Sequence, residues 1–145
     1  MTGTSQGEHG AFVLRLTLGT MFLAHGLLKL LVFTPAGTAQ FFESLGLPGI
    51  LGYATLAAET VGGLLLIAGI ASRYVAAALI PVLIGSIVFV HGDKGWLFSN
   101  EGGGWEFPAV LIGASIAQVL LGDGAYSLSR IFARQPDDPQ LRTTA

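Results

Sequence analysis

Four hydrophobic stretches of the chain each carry ionisable residues that a lipid bilayer disfavours. The first contains His25 and Lys29, the second contains Glu59, the third ends at His91, and the fourth begins at Glu106. A charged side chain at the bilayer centre costs roughly 3 kcal/mol on insertion scales, so such residues usually face a bundle interior and mark a functional site. We therefore expect the chemistry of the protein to lie where these side chains meet.

The residue types at this meeting point suit the reduction of a quinone. A ring carbonyl that gains electrons needs proton donors, which His25 and Glu59 supply as candidate catalytic residues, while Lys29 stabilises a developing oxyanion. Neighbouring residues in the outer half of the predicted bundle extend this set. The candidate cofactor-binding residues are His25, Lys29, Glu59, His91, Trp105 and Glu106.

Other uses of the same residues stay open. Haem or metal ligation by His25 and His91 is disfavoured by Lys29 beside the site and by the absence of the Glu-x-x-His pairs of di-iron bundles, so no metal is expected. Glu59 also fits the proton-coupling carboxyl of a small transporter. A structural or assembly subunit without its own chemistry is the third alternative.

The composition is that of a membrane protein. Apolar residues make up 52% of the chain, charged residues only 11%, and the mean hydropathy is +0.67, whereas soluble domains carry about 25% charge. A net charge of -2 offers no basic surface for nucleic acid. Cysteine is absent, which excludes disulfides and thiol relays, so a redox role needs an electron carrier from a partner protein.

The apolar stretches predict an all-α, polytopic membrane protein with a four-transmembrane-helix bundle, since roughly 20 residues cross as a helix. The predicted spans are residues 11–33, 49–71, 74–90 and 107–122. The last two are short unless His91, Trp105 and Glu106 belong to the helices, and Pro81 should kink the third. The predicted membrane domain covers residues 11–130, between a short tail at 1–10 and a flexible cytoplasmic tail at 131–145.

Basic residues predict the orientation. If the termini are cytoplasmic, five arginines fall inside and two lysines fall outside, as the positive-inside rule favours. The arginines are Arg15, Arg73, Arg130, Arg134 and Arg142, and the lysines are Lys29 and Lys94. Residues 34–48 then form an outer loop, and Arg15 is expected to snorkel to the cytoplasmic surface.

The depth of the ionisable residues predicts a pocket that opens outward. At 1.5 Å per residue, Glu59 lies near the middle of its span and His25 about one turn above the middle, while Lys29, His91 and Glu106 lie roughly 10 Å or more outward. His25 and Lys29 share one helix face because they are four residues apart.

Five strings in this chain resemble, in order and spacing, the successive signatures of the DoxX family. They are HGLLKL, FFESLGLPG, AETVGGLLLIAG, VHGDKGW and GGWEFP, and the resemblance covers about residues 11–130. It implies a four-helix integral membrane protein. Members of the family include the quinone-linked membrane subunit of archaeal thiosulfate oxidation and a mycobacterial membrane partner in an oxidoreductase complex, and nothing in this chain points to thiosulfate.

We therefore predict an integral subunit of a redox system in the cytoplasmic (inner) membrane, with both termini cytoplasmic. It binds a quinone or similar small molecule in an outward-facing polar pocket and serves as the membrane subunit of an oxidoreductase complex. The expected partners are the lipid bilayer, a soluble or membrane redox protein and further copies of the chain in a homo-oligomer.

Overall fold

A computed structural model describes residues 5–133, which form helices and no β-strand. A π-helical turn, Ile87–His91, and a 3-10 turn, Gly92–Lys94, continue the fourth helix. The α-helices are α1 (Gln6–Leu31), α2 (Pro35–Ser44), α3 (Ile50–Ala68), α4 (Ser72–Ser86), α5 (Glu106–Leu121) and α6 (Leu128–Ala133).

Three of the helical segments are long and apolar enough to cross a membrane. They are α1, α3 and the continuous run Ser72–Lys94, whereas the apolar helix α5 is shorter, at 16 residues. The prediction of an all-α membrane helix bundle is confirmed. His91 lies inside the third of these runs and lengthens it as expected, whereas Trp105 is only the N-cap of α5 and Glu106 its first residue, so the fourth helix stays short.

Local capping explains where α1 begins. Ser5 accepts a hydrogen bond from the backbone N–H of Glu8, and the Glu8 carboxylate accepts one from the N–H of Ser5, which is a capping box. The helix therefore starts at Gln6, five residues before the predicted span and inside the predicted tail. At the other end of the chain, residues 131–133 belong to α6, and the rest of the predicted flexible tail lies outside the described residues.

Residues 34–48, which were expected to be a loop, contain the helix α2. Thr34 caps it by accepting a hydrogen bond from the N–H of Gly37, and Pro35 occupies the first helical position, where its missing N–H costs nothing. The helix packs against α3 at Gly52, where an added Cβ would lie 3.0 Å from the Cα of Ala39. The sequence pattern for a membrane span did not reveal α2 because the helix has only 10 residues.

The four long helices form a ring in which each packs against two neighbours. Helix α1 contacts α3 and α5, and α4 also contacts α3 and α5, so α1 and α4 occupy opposite corners. The closest pair is α1 with α3. A Cβ added at Gly63 would lie 2.5 Å from the backbone nitrogen of Leu23, and one at Gly26 would lie 2.7 Å from that of Thr60. Only glycine permits this approach.

A buried apolar layer divides the bundle into two ends. We call them the Lys29 end, which contains Lys29, Glu59 and His91, and the Arg15 end. Lys29 and Arg15 are 14 positions apart on α1, which corresponds to about 21 Å along the axis. The layer consists of Leu18, Phe22, Leu66, Ala76, Leu79 and Leu83, each at most 6% exposed.

Arg15 is fully buried, so the prediction that it snorkels to a membrane surface is wrong. Its Nη1 donates to the carbonyl oxygens of Leu66 (2.9 Å) and Ile67 (2.7 Å), and its Nη2 donates to that of Ala125 (3.2 Å). These carbonyls belong to the last turn of α3 and to the segment after α5. Because helix ends leave carbonyls without intrahelical partners, Arg15 acts as a cap that joins three parts of the chain.

Candidate functional site

A cavity of about 830 Å³ opens between the helices at the Lys29 end. All five helices from α1 to α5 and the π-helical turn contribute to its walls. The lining is mainly apolar, with aromatic rings from Phe22, Phe33, Phe41, Phe42, Phe89 and Phe107. The side chains that bring polar groups to it are His25, Lys29, Thr38, Thr55, Glu59, Ser86 and His91. Four of the six residues predicted for the site are thus brought into one chamber.

An ion pair between Lys29 and Glu59 joins α1 to α3 in the cavity wall. The Lys29 Nζ donates to the Glu59 Oε2 at 2.7 Å, and the two side chains are 20% and 8% exposed. Glycine packing between α1 and α3 holds the two backbones close enough for this contact. Two charged side chains with so little exposure to solvent are stable only when the charge of each compensates that of the other.

His25 lies one turn from Lys29 on the same face of α1 and lines the cavity. Its Nδ1 is 2.9 Å from the carbonyl oxygen of Met21, which can only accept, so Nδ1 carries the proton in the neutral ring. The other ring nitrogen, Nε2, is then an acceptor and has no protein partner among residues 5–133. The neutral ring accepts a proton or a hydrogen bond at Nε2, and the protonated ring donates one there.

His91 reaches the cavity from the opposite corner of the ring, at the end of the π-helical turn. Its Nδ1 donates to the carbonyl oxygen of Gly103 at 2.8 Å, which leaves Nε2 as the acceptor. π-Helical turns are rare and often mark functional sites. The contact with Gly103 also ties the cavity wall to the loop that leads into α5.

Trp105 and Glu106 were predicted to share this site but do not line the cavity. The Trp105 ring packs edge to face on Trp96, with centroids 4.6 Å apart. The Glu106 Oε1 accepts a hydrogen bond from the N–H of Phe98 at 2.9 Å. Both residues fold the loop between the π-helical turn and α5, where Trp105 also donates its backbone N–H to the carbonyl of Gly95.

Sequence reasoning missed Ser86 and the α2 wall. Phe41 and Phe42 reach the cavity from a helix that the span analysis treated as loop. Ser86 is five residues before His91, a spacing that separates side chains on an α-helix and aligns them only across a π-helical turn. Neither feature leaves a signal in composition or in hydropathy.

The cavity does not gather a ligand set for a metal ion. Within residues 5–133, no group of three or more His, Asp or Glu side chains is placed to hold one. His25 and His91 each use Nδ1 for a backbone carbonyl and keep one ring nitrogen open.

Two comparisons with known proteins identify the family of the chain. The sequence profile of the DoxX family matches residues 10–92, more than half of the chain. The chain belongs to the DoxX family. It is 36% identical over 129 residues to the Bacillus subtilis (strain 168) protein named "Putative oxidoreductase CatD", covering 89% of this chain and 87% of that relative. No solved structure matches this chain at a significant level.

Proposed function

We propose that this DoxX protein is the membrane subunit of a redox system in the cytoplasmic membrane and binds a quinone in the cavity at the Lys29 end. The observation that carries the proposal is the Lys29–Glu59 pair in the wall of a mainly apolar chamber that His25 also lines. An apolar pocket with a few convergent polar groups is the usual form of a small-molecule site. The name of the relative CatD supports an oxidoreductase context.

The residues of the cavity fit the two parts of a quinone. The apolar ring and tail match the phenylalanine side chains, and a carbonyl oxygen matches a donor such as the Lys29 Nζ. Phe33, Phe41, Phe89 and Phe107 line the cavity and are 48% to 56% exposed at the protein surface. In a bilayer these half-exposed rings contact lipid, so a lipid-soluble ligand reaches the cavity from the membrane.

A bound quinone supplies the chemistry of taking up two electrons and two protons. The chain supplies positions for the ligand and the protons. Lys29 donates a hydrogen bond to a carbonyl oxygen, the Glu59 carboxylate can accept a proton on its way to the ligand, and His25 holds one at Nε2 when its ring is cationic. The chain has no cysteine for an electron-transfer centre, so the electrons come from a partner protein.

The apolar layer below the cavity favours a binding site over a passage. Phe22 and Leu83 belong both to this layer and to the cavity lining, so they form its floor. Leu18 and Leu66 lie behind them, toward Arg15. Protons therefore exchange with the cavity from the Lys29 end, which the positive-inside rule places on the outer face.

The experiment is a titration of the purified protein with 2-methyl-1,4-naphthoquinone in lipid nanodiscs. Glu59→Gln and His25→Ala should each weaken binding about tenfold or more, because each removes an ionisable group from the cavity wall. Glu59→Gln keeps the side-chain volume and an oxygen acceptor for Lys29, so this variant should stay folded. Arg130→Ala is the matched control, since Arg130 pairs with Glu8 at the Arg15 end. Binding that is unchanged in both cavity variants contradicts the proposal.

The same variants separate the other two functions. A proton-coupled transporter would lose uptake into sealed vesicles in Glu59→Gln with no electron donor present. A purely structural subunit would bind no quinone in the parent protein, and its cavity variants would fail to fold or to assemble with a partner.

A further inference from the structure

The polar groups of the cavity fall on two opposite walls. Lys29 and Glu59 form the first pole, on the α1–α3 side, with His25 next to them. Ser86 and His91 form a second pole on α4 and the π-helical turn. Because α1 and α4 occupy opposite corners of the ring, the two poles face each other across the aromatic middle of the chamber.

The π-helical turn is what creates the second pole. On a regular α-helix each residue advances by about 100°, so side chains five positions apart point about 140° away from each other. A π-helical turn accommodates one extra residue and brings positions i and i+5 onto one face. Ser86 directly precedes this turn and His91 is its last residue, so the two are five apart, and both line the cavity.

The second pole has hydrogen-bonding capacity that the protein does not use. Within the described part of the chain, the half-buried Ser86 hydroxyl has no hydrogen-bond partner, and the bond from His91 Nδ1 to Gly103 leaves Nε2 open. The Ser86 hydroxyl can donate to a carbonyl, and His91 Nε2 can accept from a hydroxyl. Such a pole suits a ligand oxygen in either its carbonyl or its hydroxyl form.

We infer that Ser86 and His91 bind the second oxygen of the ligand, so that a 1,4-quinone ring spans the cavity from the first pole, at Lys29, to the second pole. This inference rests on the proposed function and names the part of the ligand that determines specificity. An apolar ring with an oxygen at each end matches two polar poles with aromatic walls between them. A ring with only one oxygen can form hydrogen bonds at only one pole. That oxygen should bind the charged Lys29 donor, because charge-assisted hydrogen bonds are stronger than neutral ones.

The test compares 1,4-naphthoquinone with 1-tetralone, which keeps a fused ring system but has one carbonyl. The chain has no cysteine, so thiol addition to the quinone does not complicate the titration. Ser86→Ala should weaken naphthoquinone binding about five- to tenfold and leave tetralone binding unchanged. Lys29→Met should weaken the binding of both compounds, and Ser86→Thr, which restores the hydroxyl, should recover most of the naphthoquinone affinity.

Two further variants complete the design. Ser115→Ala removes a buried hydroxyl outside the cavity and should bind both compounds like the parent. His91→Phe should weaken naphthoquinone binding in the same direction as Ser86→Ala. If His91→Phe does not fold, naphthoquinone binding by Ser86→Ala tests the inference by itself, because this variant removes only a single oxygen atom.

The outcomes distinguish this inference from the proposed function. If Lys29→Met loses naphthoquinone affinity while Ser86→Ala binds it like the parent, the ligand uses one pole and the inference is wrong, although a quinone site remains. If the parent protein binds no naphthoquinone, the proposed function fails and the two-pole inference fails with it. Equal losses for both compounds in Ser86→Ala would also contradict the inference.

Discussion

Breaking the Lys29–Glu59 pair tests whether the cavity wall depends on mutual compensation of two charges. The Nζ–Oε2 distance is 2.7 Å and the side chains are 20% and 8% exposed. Removing one partner of a buried pair costs about 3–5 kcal/mol, whereas replacing both by apolar residues is often close to neutral. Because Lys29 keeps a fifth of its surface exposed, we expect about 3 kcal/mol for Lys29→Met or Glu59→Met and about 1 kcal/mol for the double variant.

The assay is a double-mutant cycle on the free energy of unfolding, measured by denaturation in mixed micelles. Independent residues would give a loss of about 6 kcal/mol in the double variant, the sum of the two single losses. Lys94→Met is the matched control, since Lys94 pairs with Asp93 at 2.9 Å on an exposed surface and should change nothing measurable. Additive losses in the double variant would refute the reasoning that the two groups form one compensated unit.

Three further predictions concern packing, the Arg15 cap and topology. Gly63→Ala should destabilise the protein by about 1–3 kcal/mol because its Cβ meets the backbone of α1. Gly113→Ala, whose Cβ meets nothing within 4 Å, should be neutral or stabilising in the same unfolding assay. Arg15→Met should lower the free energy of unfolding by about 3 kcal/mol or more, since it removes the side-chain donor of the Ile67 and Ala125 carbonyls. The exposed Arg73→Met should have little effect, and equal stability of the two variants would contradict the capping role. A reporter that is active only outside the cytoplasm should work when fused after Asn100 and fail at the C-terminus, and the reverse pattern would invert the orientation.

The ion pair could be predicted because few charges occur inside the spans. A carboxyl near the middle of a membrane span is either neutral or paired, because an uncompensated charge in lipid is costly, and Lys29 is a plausible partner for Glu59 on that ground. The four long helices followed from length and hydropathy for the same reason. In both cases one large energy term determines the structure, namely the cost of placing uncompensated charges and unpaired backbone polar groups in lipid.

Features that depend on tertiary contacts could not be predicted in this way. Arg15 looked like a snorkelling residue because nothing local reveals that the carbonyls of Leu66 and Ala125 lie within reach of its guanidinium. Trp105 and Glu106 lie at the start of α5, but the ring contact with Trp96 and the loop hydrogen bond from Phe98 to Glu106 hold their side chains away from the cavity.

The most direct test of the central claim, that the cavity at the Lys29 end binds a quinone, is the quinone content of the protein as isolated from its own membrane. The protein is purified gently, its lipids are extracted, and the quinone per chain is quantified by mass spectrometry for the parent and for Glu59→Gln. We expect close to stoichiometric quinone in the parent and a severalfold loss in the variant. An absence of quinone from the parent, or equal amounts in both proteins, would contradict it.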